Sequence, residues 1–459
     1  MKFSLAQVLE ATGGRRCGHG DVVDNVPGPV TTDSRTAVSG DWFVALVGPR
    51  FDGHDFVGSV LAAGAHGVIV ERMVPDVEGI QVVVEDTTRA LQDLGRAARA
   101  RLRCPVVALT GSNGKTTTRA MIACAVAPLG HVHQTQGNLN NHLGVPLSLL
   151  AAPEDADVVV LEMGTSSPGE IAVLRDIATP DVRLVTNVGA AHLEELGGLD
   201  GVAVEKRSLF DAVGPTDTLV VNLDDPRLQD ARGPCTLTFG QTKDATVQVV
   251  EATPMPARGC TPVTLRVRDE LLQLKVPAVG HHMAMNAAAA IATALAVGVS
   301  PQDAARAVVA YEPVGRRMRP TRVGGMLFLD DAYNANPSSM KASLDVLAAH
   351  EGRRVAVLGD MLELGPEELA FHNEVVAYAW TCGVDAVALH GERMSQTSVV
   401  GPKGMPCWVE HDPQLLAERL AAWVREGDVL LFKGSRGARV ERVMEALMAA
   451  LSPATNGAD

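Results

Sequence analysis

The sequence predicts an α/β protein of three domains. Short apolar runs that stop at polar or glycine turns alternate with helical stretches, the pattern of parallel sheets. At 459 residues the chain is too long for one ordinary core. The runs also fall into three blocks. In the first, residues 1–88, strands are expected at 42–47, 67–70 and 80–84, which gives a small α/β domain ending near Glu85-Asp86. The second, 89–314, opens on a helical segment at 89–101 and has apolar runs at 106–109, 158–161 and 184–186. Less regular β-rich sequence then leads to an alanine-rich helix beginning near Asn286, and the block closes at Pro313-Val314-Gly315. This block reads as a P-loop ATPase-like parallel sheet. The third, 315–459, repeats the strand-and-turn pattern at 326–329, 355–358, 386–389 and 429–432 and reads as Rossmann-like. Fraying is expected after Ser452.

Composition narrows the function classes. The formal charge is −14 and aromatic residues make up 3% of the chain, so no basic field is available for nucleic acid and the cores rest on aliphatic packing. The first ten residues lack the long apolar core of a signal peptide. The most apolar stretch, 284–299, is shorter than a bilayer span, so no membrane insertion is expected. Seven scattered cysteines without paired Cys-x-x-Cys spacing suit a reduced cytosol. The expected state is a cytoplasmic monomer.

The strongest local signal is Thr110-Gly111-Ser112-Asn113-Gly114-Lys115-Thr116-Thr117-Thr118, between the 106–109 run and a helix-forming stretch from Thr116 to Ala127. Gly111 and Gly114 let backbone N–H groups approach an anion, Lys115 meets the outer phosphates, and Thr116 offers a hydroxyl to Mg²⁺. The usual loop pattern would start with a glycine at position 109, where this chain has Leu109, so the loop is a shorter variant. Nucleotide binding follows, but not the reaction.

In an open α/β sheet, ligands sit beyond the carboxyl ends of the strands. Glu162 directly follows the 158–161 run, and His192 follows 184–187 by a short loop, so both are candidates to complete a Mg²⁺ shell begun by Thr116. Asp330 and Asp331 end the first strand of the third block, and Lys433-Gly434-Ser435-Arg436 ends its last. These groups suggest a second wall closing over the nucleotide. Lys206 lies in a short helical stretch whose composition alone marks it as solvated, and His131, His133 and His281 are expected in ordinary structural roles.

Taken together the motifs resemble those of the Mur ligases, over nearly the whole chain. The resemblance is carried by Thr32-Asp33-Ser34-Arg35 and Phe51-Asp52-Gly53-His54-Asp55-Phe56, then by the phosphate loop and Asn140-Asn141-His142-Leu143-Gly144. It continues through Glu162-Met163-Gly164, Ala191-His192-Leu193-Glu194, Tyr333-Asn334-Ala335-Asn336-Pro337, Leu358-Gly359-Asp360-Met361 with Glu363-Leu364-Gly365, and Lys433-Gly434-Ser435-Arg436. Glu162-Met163-Gly164 and Tyr333-Asn334-Ala335-Asn336-Pro337 are most similar to the member that adds D-alanyl-D-alanine to UDP-N-acetylmuramoyl-tripeptide. The shorter loop with Leu109 is the form this family uses.

The resemblance implies a UDP-sugar-binding first domain and an ATP-dependent peptide ligase working through an acyl phosphate, in the last cytoplasmic step toward the peptidoglycan pentapeptide precursor. It implies that Gly111, Ser112, Asn113, Gly114, Lys115, Thr116 and Thr117 hold the phosphates. Asn286 would meet the adenine, Arg316 would reach the phosphates, and Asp331 would contact the ribose side. Thr116, Glu162 and His192 would bind Mg²⁺, and a carbamylated Lys206 would help position a second ion. In the latter respect the chain departs from the family, whose usual Lys-Gly-Glu is here Lys206-Arg207-Ser208. Lys115, His192 and Lys206 are the catalytic candidates. Ser34, Arg35, Asn138, Asn140, Asn141, Asn334 and Asn336 are candidates for substrate contact. Open alternatives are a sister ligase adding a single amino acid, a folylpolyglutamate-synthase-like enzyme with the same central domain, and a nucleotide switch that docks a protein.

Overall fold

The computed structural model describes residues 1–18 and 26–451, so the expected fraying after Ser452 lies outside the described residues. Each block builds its own sheet. The first has strand order Lys2–Phe3, Gly28–Thr31, Trp42–Val44, Gly67–Val70, Gln81–Val83, Arg15–Cys17. Its four inner strands run parallel, and its two outer ones are antiparallel to their neighbours. The strand expected over 42–47 stops at Val44. Gly53 N donates back to Leu46 O, and the chain turns into a hairpin of Val47–Gly48 with Phe51–Asp52.

The middle sheet is ordered Val132–Gln134, Val158–Glu162, Val106–Thr110, Val182–Val185, Thr218–Asn222, Cys235–Gly240, Val247–Ala252, Thr261–Val267, Glu270–Val276. It is parallel through Val247–Ala252 and ends in an antiparallel hairpin, which accounts for the less regular β-rich stretch of the sequence. The inner strands are apolar at nearly every position because helices cover both faces. The alanine-rich helix runs over His281–Ala296 and begins five residues before Asn286. Alanine lets it approach the helix Lys115–Val126 closely, and both share one buried core with the sheet. Among the described residues no helix is long and apolar enough to cross a membrane.

The third sheet is ordered Arg319–Val323, Met326–Asp330, Val429–Lys433, Arg354–Gly359, Ala386–His390, Cys407–Glu410, antiparallel only at its first pair. The helix Thr87–Arg101, capped by Asp86, joins the first two blocks. Its Ala90, Leu91, Leu94 and Ala98 lie in a core that also contains Phe3, Val8 and Trp42 on one side and Val145, Leu149 and Ile177 on the other. Arg101 donates to Lys2 O at 2.7 Å across the same junction.

Candidate active site

The phosphate loop is shaped by close approach to the neighbouring strand end. Gly111 has φ +146°, and a Cβ there would lie 1.9 Å from Thr186 Oγ1, so no other residue fits. Gly114, at φ +77°, would place a Cβ 2.8 Å from Asn286 Oδ1. Hydrogen bonds staple the loop to its neighbour, among them Asn113 N to Asn187 Oδ1 at 3.0 Å, Ser112 Oγ to Gly189 O at 3.0 Å, and Thr186 Oγ1 to Asn113 O at 2.7 Å. Lys115, half-buried, donates to Gly111 O at 2.6 Å, and burial pushes its pKa down. The helix that follows aims its N-terminal N–H groups at the same space.

A cavity of 760 Å³ opens above the loop. It is lined by Ser112 to Thr117, Asn140, Asn141, Glu162, His192, Asn286, Asp331, Asn334 and Asn336 of the residues singled out in the sequence. A second cavity of 560 Å³ shares Thr116 and His192 with it and adds Asn138 and Arg436. Ser34 and Arg35 line neither cavity. Arg35 is exposed and paired with Asp33 at 2.6 Å, which lowers the Asp33 pKa to about 2. Gly111 and Lys206 also line neither cavity.

Glu162 is 3% exposed. Its Oε1 accepts from Thr116 Oγ1 at 3.1 Å and Asn140 Nδ2 at 2.9 Å. Its Oε2 is buried without a hydrogen-bond partner, 3.6 Å from Arg119. A buried carboxylate oxygen left without a donor, beside a hydroxyl, is a hard-oxygen set suited to a divalent cation. Asn141 accepts from Leu143 N and Gly144 N, capping the next helix.

Lys206 is 1% exposed, in contrast to the solvated residue its composition suggested, because the helix Leu199–Arg207 turns it inward beside Glu205. Burial, reinforced by Lys115, holds its pKa well below the usual lysine range. Glu205 is engaged elsewhere through its carboxylate. Its carboxylate accepts from Gly169 N at 2.6 Å, Ile171 N at 2.8 Å and Thr165 Oγ1 at 3.1 Å, closing the start of the helix Glu170–Ala178.

The C-terminal domain supplies the opposite wall. Asp331 is buried against Lys433 at 2.6 Å and accepts from Ser343 Oγ at 2.7 Å. Asn336 caps the helix Pro337–Ala348 through its Oδ1, and its Nδ2 donates to Asn113 Oδ1 of the phosphate loop at 2.8 Å. Both ends of its amide are thus engaged. Arg316 is turned away from the cavity, held by Glu445 at 2.9 Å and near Asp330 at 3.8 Å. The arginine that enters is Arg317, which donates to Thr116 Oγ1 at 3.0 Å and lies 3.8 Å over the Tyr333 ring. Two adjacent arginines carry no sequence signal for which one faces inward. Phe239, His282 and Met283, which line the cavity near Asn286, were equally unmarked, being ordinary apolar or helical residues in the sequence.

The chain is similar to known proteins in both sequence and fold. The Mur ligase middle domain matches residues 109–294, and the Mur ligase glutamate ligase domain matches 316–436. The chain is 35% identical over 427 residues to the UDP-N-acetylmuramoyl-tripeptide--D-alanyl-D-alanine ligase of Bacillus subtilis, covering 91% of this chain and 93% of that protein. Its structure is similar to that of MurF from Acinetobacter baumannii, with TM-score 0.90, 33% identity and coverage of 98% and 99% of the two chains. It is also similar to the MurF ligase from Thermotoga maritima in complex with ADP, with TM-score 0.83, 31% identity and coverage of 92% and 98%. Identity of this order over nine-tenths of the chain, joined to a phosphate loop, a buried glutamate and a facing C-terminal wall, makes this protein a member of the Mur ligase family.

Proposed function

We propose that the chain joins D-alanyl-D-alanine to the terminal carboxylate of UDP-N-acetylmuramoyl-tripeptide at the expense of ATP, completing the peptidoglycan pentapeptide precursor. The observation that carries the reading is the shared wall of the two cavities. Thr116, Arg317 and Tyr333 lie between the phosphate loop and a second, acceptor-sized space, so a phosphoryl group and a peptide end can meet there. The Bacillus subtilis relative, which is named for this reaction, supports it further.

A carboxylate is a poor electrophile, and amide formation in water is uphill, so the carboxylate must be activated. In this reading it attacks the γ-phosphate in line, giving an acyl phosphate and ADP, and the neutral amine of the dipeptide then displaces phosphate. Lys115 and the loop amides offset the charge that develops on the phosphoryl oxygens. Asn286, with Phe239 and His282 beside it, receives the adenine, and Asp331 faces the ribose. Thr116, Glu162 and His192 are the donors for Mg²⁺, which when bound neutralises phosphate charge. Burial disfavours the charged form of Lys206, and the uncharged amine is the form that adds CO₂, so carbamylation fits its environment despite Arg207-Ser208. The Asn113–Asn336 contact lets the C-terminal domain close over the loop and keep water from the acyl phosphate.

We assign residues 1–88, through Ser34 and Arg35, to the UDP-sugar. Residues 89–314 go to ATP, and 315–459, through Asn334 with Asn138, Asn140 and Asn141 opposite, to the peptide and dipeptide. The test is ADP release with UDP-N-acetylmuramoyl-tripeptide, with and without D-alanyl-D-alanine, and with free amino acids in its place. Release that depends on the dipeptide is expected. Equal release with a single amino acid would favour a sister ligase, and release without any amine would favour a nucleotide switch.

A further inference from the structure

The middle and C-terminal domains also meet at His192 and Glu363, which line both cavities. His192 Nδ1 lies 2.6 Å from Glu363 Oε2, with the separation of an ion pair but without hydrogen-bond alignment. Both residues are held in left-handed backbone, His192 at φ 55° and Glu363 at φ 64°. Such a conformation is costly for a residue with a side chain and persists only where its surroundings impose it.

Here both sides impose it. The loop carrying Glu363 is anchored by Met361 N donating to His372 Nε2 at 2.9 Å and Leu362 N to Ser435 Oγ at 3.0 Å, with Leu364 buried. On the facing side, Leu193 packs into the core of the C-terminal domain, and Glu194 N donates to Glu363 O at 3.4 Å. Gly365, at φ +69°, takes a left-handed conformation that glycine adopts without strain, beside Glu194. The short helix Leu193–Leu196 is therefore docked on the C-terminal domain, although its chain belongs to the middle one.

We infer that Glu363 is a positioning residue for His192: the C-terminal domain fixes the orientation of the imidazole through Glu363, so that domain closure and ordering of that histidine are one event. The inference rests on the ligase reading above for its place in the reaction, but the contact itself does not. A carboxylate that holds the far nitrogen of an imidazole fixes its tautomer and orientation, and loss of such a partner costs on the order of 10–100-fold in metal affinity or activity. Glu195 has a carboxylate oxygen in the same cluster, and its side chain, like that of Glu363, is solvent-exposed.

The experiment compares wild type, Glu363→Ala and Glu363→Gln. Mn²⁺ affinity is measured by electron paramagnetic resonance with saturating ADP and no acceptor, and kcat and KM are measured in the ligation assay. Glu363→Ala is expected to weaken Mn²⁺ on the order of tenfold and to lower kcat by a similar factor, with KM for ATP little changed. Glu363→Gln, which keeps an acceptor oxygen at the same reach, is expected between the two. Unchanged Mn²⁺ affinity and kcat in a folded Glu363→Ala protein would overturn the proposal. If that variant melts early, the Gln variant decides on the same two readouts. Tight Mn²⁺ binding without nucleotide, lost in Glu195→Gln, would also overturn it, because the three residues would then be an ion site of their own. A wild type that binds Mn²⁺ with ADP but forms no peptide would fault the ligase reading and leave the Mn²⁺ comparison to decide this one.

Discussion

Arg317 donates to Thr116 Oγ1 at 3.0 Å, so a guanidinium from the start of the C-terminal domain rests on the hydroxyl that ends the phosphate loop. The segment carrying it, just before the strand Arg319–Val323, is the connection between the two domains. Any swing of the C-terminal domain moves this charge toward or away from the phosphates. Replacing Arg317 with alanine is expected to lower kcat on the order of 10²-fold, the cost of removing one preorganised donor to developing charge. Replacing Arg316, paired at the surface with Glu445, is expected to change kcat by no more than about threefold. Steady-state kinetics of the two single variants checks both, and a reversed order would return the phosphate role to Arg316.

Asp331 and Lys433 form a buried pair at 2.6 Å. Removing one partner leaves the other charge without compensation, at a cost of about 3–5 kcal/mol. Asp331→Ala should therefore lower the unfolding midpoint sharply, and Asp331→Ala with Lys433→Met should recover most of the loss. Equal midpoints for the single and double variants would show that the uncompensated Lys433 charge is not what destabilises Asp331→Ala.

Glu205 holds the start of the helix Glu170–Ala178 through two backbone N–H groups and one hydroxyl. Glu205→Ala orphans those donors and is expected to destabilise by about 2–3 kcal/mol, with Glu205→Gln costing less. Denaturant unfolding of the purified variants measures this directly.

Lys206 gives a pH dependence of definite sign. Its folded-state pKa is depressed by burial, so between that value and the usual 10.5 the unfolded chain binds the extra proton and the native state does not. Stability conferred at this site therefore rises with pH through that window and falls toward neutrality. In CO₂-free buffer, Lys206→Met should be more stable than wild type near pH 7, with the advantage shrinking as pH rises. Added bicarbonate should raise wild-type ligase activity and leave the methionine variant unchanged.

Much of this site is legible in the sequence because parallel sheets bring the carboxyl ends of their strands to one edge. Glu162 and His192 could be placed beside Lys115 for that reason alone. The glycine loop was legible because close approach leaves no room for a Cβ, as Thr186 beside Gly111 illustrates. What escaped depends on which way a side chain turns. Lys206 and Arg207 are adjacent and alike in charge, yet one is buried and the other meets Asp230 at 2.6 Å. Arg316 and Arg317 part in the same way. Asn336 reads as a free amide for substrate, but a helix cap and a partner in another domain use both its ends, and sequence spacing cannot express a contact between residues so far apart.

The most direct test of the account follows oxygen rather than rate. UDP-N-acetylmuramoyl-tripeptide labelled with ¹⁸O in its terminal carboxylate is incubated with ATP, Mg²⁺ and D-alanyl-D-alanine, and the released phosphate is analysed by mass. An acyl phosphate transfers one carboxylate oxygen to phosphate per peptide bond formed, so label in phosphate equal to product is the expected result. Peptide formation with unlabelled phosphate, or phosphate release without peptide, would contradict it.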